Sequence, residues 1–347
     1  PPHAFLLGRG WKQRVAGEPL SSTSSMDRLG PVNCNPEDTE GRQVANLADS
    51  AVNWVRTLRI DGSTWVVEPE PSVGELRVNA AGEPGYWSGA VKSIIKETED
   101  LTVLYQVSSK KRNLANKSGF TRWSDPLLSP DDVGVSGESL KPRLAAFLEV
   151  NRKDGESLVL PDRIRVERLA WQPKPKLEFF VDFETVNSLK DTFAHFPEQS
   201  GQDLIFMIGC GHIENGKWQF ECFITERLNE SNEALIIDQW FEHMDSVQTR
   251  LDPGNKANIY HWSAAEVNFL QKSNNSAYNR HPNNNWPDPN WFDFLQRVMR
   301  EEPVVVRGAH GFGLKAITKA LNNLDLIDID WPDGTTDGLG AMAGAWW

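Results

Sequence analysis

One stretch of the chain, residues 177–185, combines a hydrophobic strand with two acidic side chains. Its sequence, Leu-Glu-Phe-Phe-Val-Asp-Phe-Glu-Thr, is rich in aromatic and apolar residues, which predicts a buried β-strand. Asp182 and Glu184 are two positions apart, so both side chains point to the same face of that strand. Two neighbouring buried anions are unfavourable unless a positive group neutralises them. Because carboxylate oxygens suit Mg²⁺ and Mn²⁺, the pattern favours a metal site.

The alternative for this stretch is an edge strand that carries two solvated acids. Four apolar side chains, Phe179, Phe180, Val181 and Phe183, surround the two acids in the sequence. Exposing all of them to water would be unfavourable, so we favour the metal interpretation.

Composition sets broad limits on the protein. The chain has 347 residues and an apolar fraction of 39%, which is enough for two ordinary domains with their own cores. It contains no apolar stretch of the roughly 18 residues that a membrane span needs and no signal-peptide pattern, so we predict a cytoplasmic protein without a membrane partner. The net charge of −12 does not exclude nucleic acid, because bound cations and a local basic groove can face the phosphates.

The first half of the chain favours short helices. Apolar residues at helical spacing predict a helix over 44–58, short helices over 91–120, and a helix over 142–151 that leads into a proline-flanked connector. We therefore expect a mainly helical N-terminal region over 1–170 and a second domain over 177–347.

The second half has the element order of an α/β domain. After 177–185, apolar strands are predicted over 204–211 and 218–224, joined by an Asn215-Gly216 hairpin turn. A helical face over 235–247, a short strand over 257–262 and a helix from Ser263 follow. Three strands, helix, strand, helix is the order of a ribonuclease H-like domain, with a mixed sheet flanked by helices.

Two further acids are candidates for the same site. Glu266 lies in the first turn of the helix that follows the fourth strand, where it could contact a metal ion. Ser263-x-x-Glu266 is equally a capping box, in which the glutamate bonds the Ser263 backbone N–H. Asp293, in Trp-Phe-Asp-Phe-Leu, is either an additional acidic contact or the cap of a helix that runs toward Arg300.

Candidates for binding phosphate or bases lie near these acids. The Gly313-Leu314-Lys315 segment predicts a helix start whose backbone N–H groups, together with Lys315, would hold a phosphate. His261 and Trp262, at the end of the fourth strand, are predicted to contact nucleic acid, with Trp262 stacking on a base.

Together these segments resemble the DEDD-type 3′→5′ exonucleases, the DnaQ-like branch of the ribonuclease H-like fold, and in particular its YprB-type members. The resemblance covers about 177–347 and rests on the order of the D-x-E strand, the segment ending at Glu266, the Asp293 element and Gly313-Leu314-Lys315. It implies a two-metal nuclease in which Asp182, Glu184 and Glu266 bind two Mg²⁺ or Mn²⁺ ions and Asp293 supports them. The implied partner is a single-stranded nucleic-acid end. Glu266 stands where the family usually has aspartate.

The resemblance also implies parts that this sequence lacks. The family has a final metal-binding aspartate in a late helix, and Asp337 does not match it, so we expect that acid beyond Trp347. Many relatives carry a RecB-like PD-(D/E)XK nuclease upstream, joined by helical hairpins. The segment 101–120 resembles such a hairpin, but Val107-Ser108-Ser109 replaces its glycine-bearing turn, which favours a structural role over DNA binding.

Two alternatives to a nuclease remain at this point. The missing aspartate favours a catalytically incomplete ribonuclease H-like module that binds nucleic acid or protein. A different phosphodiesterase or phosphatase on the same metal scaffold is the other.

Overall fold

The structure is a computed structural model that describes residues 4–7, 29–35, 37–68, 70–82, 85–152, 157–165, 175–186, 203–271, 277–329, 340–341 and 344–345. Contacts divide the chain into two compact units. The described residues up to Arg77 belong to the first unit, and those of Val78–Val186 and Asp203–Trp347 belong to the second. All candidate site residues lie in the second unit.

In its described residues, the first unit contains a pair of strands and one long helix. Strands β1 (Ala4–Leu7) and β2 (Leu29–Val32) pair antiparallel. Helix α1 (Thr39–Asp61) is the predicted first helix, and the Asp38 side chain caps it by accepting a hydrogen bond from the Glu40 N–H.

Short helices open the second unit, as the sequence predicts. They are α2 (Ser88–Thr98), α3 (Ser109–Lys117) and α4 (Leu140–Asn151), with a 3₁₀ turn over Leu101–Val103. Arg112, in the hairpin-like segment, is only 3% exposed, and its guanidinium lies 3.2 Å from the Asp100 carboxylate. This cation is therefore used inside the protein, which agrees with a structural role for the segment.

The remaining elements follow in chain order. They are β3 (Val159–Leu160), β4 (Glu178–Val186), β5 (Leu204–Glu214), β6 (Lys217–Ile224), α5 (Glu230–Leu251), β7 (Asn258–His261), α6 (Ala265–Leu270), α7 (Ala277–Arg280), β8 (Trp291–Asp293), a π-helical turn over Leu295–Arg300, β9 (Val305–Val306) and α8 (Leu314–Asn323). Strands β3 and β9 form a small antiparallel pair of their own.

Five strands form the main sheet, in the spatial order β6-β5-β4-β7-β8. Strands β4, β5 and β6 are antiparallel neighbours, whereas β7 and β8 run parallel to β4. The turn between β5 and β6 is the predicted Asn215-Gly216 pair, with φ of 51° and 74°, the left-handed conformation that a two-residue hairpin turn requires. The expected α/β fold with a ribonuclease H-like mixed sheet is confirmed.

The two faces of β4 have different surroundings. Phe179, Val181 and Phe183 point into the core, where the Trp240 ring of α5 meets the Phe183 ring edge-on at 5.3 Å. The alternate residues Phe180, Asp182 and Glu184 lie on the opposite face, as period-two alternation predicts. The core therefore fixes which way the two acids point.

A second core cluster joins the early helices to the end of the chain. Phe147 of α4 packs against Phe312, with ring centroids 4.8 Å apart, and Val150 belongs to the same buried cluster as Met299 and Val305. This grouping differs from the sequence-based boundary near residue 170, because these long-range contacts make α4 part of the same compact unit as the sheet. Among the helices that the structure describes, none combines the length and hydropathy required to cross a membrane.

Candidate active site

The two acids of β4 open onto a cavity of about 500 Å³ on the outer face of the sheet. Among the described residues that line it, Asp182 and Glu184 are the only acidic or basic ones apart from the His261 ring. Most of the rest of the lining is aromatic or aliphatic, from strands β4 to β7 and from the segments that follow β7 and precede α8. The lining residues are Phe180, Val181, Asp182, Glu184, Met207, Gly209, Trp218, Phe220, Cys222, Tyr260, His261, Trp262, Phe294 and Leu314.

The surroundings of Asp182 disfavour the ionised form of its carboxyl group. Its side chain can be reached by solvent, but the cavity walls displace much of the surrounding water. This desolvation, followed by the charges of Glu266 and Glu184, raises the pKa of Asp182 to about 6, while Lys315 acts in the opposite direction. Desolvation also raises the pKa of Glu184, again against Lys315. Glu266, Glu184 and Lys315 therefore all lie close enough to Asp182 to act on its charge.

Glu266 reaches this group from the first turn of α6. The residue is 5% exposed, and its Oε2 atom has no hydrogen-bond partner among the described residues. The N-cap residue of α6 is Ala264. No hydrogen bond from the Ser263 N–H to Glu266 is found among the described residues. The Ser263 hydroxyl instead accepts a hydrogen bond from the Ala265 N–H at 3.4 Å. Between the two interpretations of Glu266, this geometry favours a side chain directed at the carboxylate cluster over a capping box.

His261 lies beside Glu266 at the end of β7. Its ring is buried, and Nδ1 lies 3.4 Å from Oε2 of Glu266. The same nitrogen donates a hydrogen bond to the backbone carbonyl oxygen of Ser263. A neutral ring in this tautomer keeps Nε2 as a hydrogen-bond acceptor. His261 lines the cavity, but its burial leaves little surface for a direct contact with nucleic acid.

The start of α8 contributes to the lining of the cavity. The helix begins at Leu314, as the Gly-Leu-Lys pattern predicts, and Leu314 lines the cavity. The exposed Lys315 side chain acts electrostatically on both acids of β4. A helix N-terminus and a lysine at the rim can together offset negative charge in the cavity.

Asp293 and Trp262 are each engaged by the protein itself. The Asp293 Oδ1 atom accepts a hydrogen bond from the Gln296 N–H at 2.9 Å, which is the capping role, and Asp293 does not line the cavity. The indole Nε1 of Trp262 donates to the Phe312 carbonyl at 3.1 Å, and its ring stacks on Phe294. Trp262 thus forms part of the cavity wall and ties β7 to the loop before α8.

The donor atoms suit a hard divalent cation, although the cluster is incomplete as it stands. Three carboxylates, one with a buried orphan oxygen, are the ligand type that Mg²⁺ and Mn²⁺ prefer. No group of three His, Cys, Asp or Glu side chains in the described part of the chain is already arranged to hold an ion. Asp337, which does not match the final metal-binding aspartate of the family, lies outside the described residues.

Sequence reasoning missed the aromatic lining of the cavity. Three of these rings, Phe180 of β4 and Trp218 and Phe220 of β6, lie on the outer face of the two strands that flank β5 and are called here the aromatic platform. The signal was available, because the Asn215-Gly216 turn fixes the register of β5 and β6 and thus the faces on which their residues lie.

Neither the family models nor the curated proteins contain a match to this chain.

Proposed function

We propose that the second unit is a metal-dependent nuclease that hydrolyses phosphodiester bonds of nucleic acid, with the 3′→5′ exonuclease polarity that the resemblance implies. The observation that carries this proposal is the pair Asp182 and Glu184 on one cavity of a ribonuclease H-like sheet, with the buried Glu266 carboxylate close enough to act on the charge of Asp182. Desolvation and mutual repulsion destabilise these anions in the free protein. A bound cation would relieve both costs, which gives the site its affinity for metal.

The position of each residue in the site suggests its role in metal or phosphate binding. Asp182 and Glu184, which line the cavity, would hold Mg²⁺ or Mn²⁺. Glu266 of α6 would act as a third carboxylate ligand. The His261 ring lies beside this third carboxylate, with Nδ1 3.4 Å from Oε2 of Glu266. Lys315 and the first turn of α8, on the rim, would bind a phosphate of the substrate strand.

A bound pair of divalent cations supplies the Lewis-acid chemistry of such a site, by acidifying the attacking water and stabilising the leaving oxygen. The apolar walls raise the strength of every charge interaction in the cavity, because they lower the local dielectric.

The first experiment is Mn²⁺ titration by calorimetry on the metal-free chain and on Asp182→Asn. The pH should be above 7, because Asp182, with a pKa of about 6, is then ionised. We expect binding in the parent and at least a tenfold loss in the variant. Asp245→Asn is the matched control, since this exposed aspartate lies on α5, on the other side of the sheet, and its loss should change nothing.

The second experiment is cleavage of a 5′-labelled single strand in Mn²⁺. Stepwise shortening of the labelled strand supports 3′→5′ exonuclease activity, release of a labelled mononucleotide indicates the opposite polarity, and discrete internal products indicate endonuclease activity. Hydrolysis of a small phosphomonoester in preference to the strand would favour a phosphatase. A folded parent chain that binds no Mn²⁺ would contradict the proposal.

A specific observation favours a second candidate, a non-catalytic module that binds nucleic acid. The described residues contain no preformed group of three metal ligands. In that case the affinity for a single strand would be the same in EDTA and in Mg²⁺, and Asp182→Asn would leave that affinity unchanged. The two candidates therefore differ in one binding measurement.

A further inference from the structure

The aromatic platform is built by a matched set of small and large residues on adjacent strands. Gly211 of β5 lies beside Phe180 of β4, and Gly209 lies beside Asp182. A Cβ atom at Gly211 would overlap the ring of Trp218, and one at Gly209 would lie 3.2 Å from the ring of Phe220. Only glycine therefore allows the Trp218 ring to lie directly on the sheet, and glycine keeps the Phe220 ring close to it.

These rings form a continuous surface that stays open to solvent. Trp218 is 55% exposed and Phe220 is 59% exposed, although both contact the sheet beneath them. The Phe180 ring lies 5.7 Å from Trp218 and stacks on Tyr260 at 5.4 Å. Such a contiguous apolar surface on a folded domain marks a binding site more often than isolated exposed residues do.

The position of the platform restricts what it binds. In the part of the chain that the structure describes, the cavity is lined by the platform and by the carboxylates of Asp182 and Glu184. Its occupant therefore needs a flat, uncharged aromatic part for the rings and a group that reaches a cation held by the acids. An aliphatic peptide has no flat aromatic part for the rings and leaves the carboxylates without a counterpart.

From this juxtaposition we infer that the aromatic platform binds an unpaired nucleobase next to the phosphodiester that faces Asp182 and Glu184. The inference rests on the proposed function and adds a substrate class, since a base inside a duplex has no free face to offer. Phe220 contacts the base nearest the acids, because its ring lies over the strand position beside Asp182. Stacking of this kind tolerates any base. The site therefore distinguishes single-stranded from double-stranded nucleic acid and not one sequence from another.

The test compares two single strands that differ only in their last two 3′ positions, which carry bases in one strand and abasic residues in the other. Binding is measured by fluorescence anisotropy, once in EDTA and once in Ca²⁺, with the full chain and with Trp218→Ala and Phe220→Ala. We expect each variant to lose about tenfold in affinity for the complete strand, at the lower end of base–aromatic stacking, and almost nothing for the abasic strand. Trp87→Ala removes a more exposed tryptophan of the same unit and should change neither affinity.

Several outcomes would overturn the inference. Equal losses on the two strands would mean that the rings act on the fold, and unchanged affinity would mean that no base contacts them. A concentration-dependent dimer of the parent that Trp218→Ala abolishes, measured by sedimentation, would identify a second copy of the chain as the occupant. Thermal melting of each variant checks its folding, and Trp218→Phe, which keeps a ring, should restore most of the affinity.

Failure of the proposed nuclease function is distinguishable from failure of the inference. If the platform variants weaken strand binding in EDTA while no Mn²⁺ binds to the parent, the base site stands and the nuclease does not. If Mn²⁺ binding and cleavage are intact and the variants affect both strands equally, the nuclease stands and the base site does not.

Discussion

Glu233 and Glu266 are both buried carboxylates of the same compact unit, but their surroundings are opposite. Glu233, in the first turn of α5, is fully buried and accepts hydrogen bonds from the Ile205 N–H at 2.7 Å, from Arg280 at 2.5 and 2.8 Å and from His281 at 2.9 Å. The chain itself satisfies both oxygens of this acid, so its ionised form is stable where it lies.

Glu266 has nearly the same burial without the same partners. Its Oε2 has no hydrogen-bond partner among the described residues, and its charge acts on Asp182, which is itself an acid. A buried acid with a full set of donors holds elements together, whereas a group of acids without donors is stable only with a ligand. The contrast separates a structural carboxylate from candidate functional ones by geometry alone.

The largest effect should come from breaking the satisfied cluster. Glu233→Ala leaves the Arg280 guanidinium buried without its main counter-charge and removes the acceptor of the Ile205 N–H, so we expect the free energy of unfolding to fall by about 3–5 kcal/mol. Urea denaturation followed by circular dichroism measures the change. A loss below about 1 kcal/mol would show that the cluster does not join β5, α5 and α7 as the structure indicates.

Removing the charge of the unsatisfied acid, Glu266, should not destabilise the metal-free protein. Glu266→Gln removes a charge that lacks partners, so the metal-free protein should be at least as stable as the parent in the same denaturation experiment. Its affinity for Mn²⁺, measured by calorimetry, should fall about tenfold. Glu242→Gln, on the exposed side of α5, is the matched control and should alter neither quantity. Unchanged Mn²⁺ affinity in Glu266→Gln would remove this residue from the site.

The contrast also shows which parts of the site the sequence could predict. Asp182 and Glu184 share a face because side chains alternate along a strand, and that local rule holds in the structure. The hairpin at Asn215-Gly216 is likewise a local signal. The orientation of Glu266 was open, because the nearby Ser263 offered a capping box of comparable local merit.

Features that depend on distant residues were not predictable in the same way. Strand β8 has three residues, too few for a pattern, and it exists because Trp291–Asp293 pairs with β7. The packing of Phe147 against Phe312 joins positions far apart in the sequence, which no local period encodes. The donors of Glu233 similarly come from β5 and from the end of α7, both far from Glu233 in the sequence.

A smaller effect is expected at Asp293, an acid near the site whose carboxylate already accepts a hydrogen bond from the protein. Its carboxylate caps the turn that contains Gln296, so Asp293→Ala should lower the free energy of unfolding by about 1 kcal/mol. Mn²⁺ affinity should stay at the parent value, since Asp293 does not line the cavity. A clear loss of Mn²⁺ affinity in this variant would restore Asp293 as a metal contact, as the resemblance implies.

The smallest expected effect concerns Asp182 in the metal-free protein. Its pKa is raised from 3.8 to about 6 in the folded state, so folding takes up a proton between these values and stability falls as the pH rises through them. Asp182→Asn has no such proton. Its melting temperature in EDTA should therefore equal that of the parent below pH 3.8 and exceed it above pH 6.

The size and sign of that difference test the comparison directly. Because Asp182 can be reached by solvent, water screens its charge, and the gain should be below about 1 kcal/mol, or a few degrees of melting temperature. Saturating Mn²⁺ should reverse the order above pH 6, since a ligand that binds only the folded parent stabilises it in proportion to its affinity. A variant that is less stable than the parent in EDTA would show instead that Asp182 stabilises the fold and belongs with Glu233.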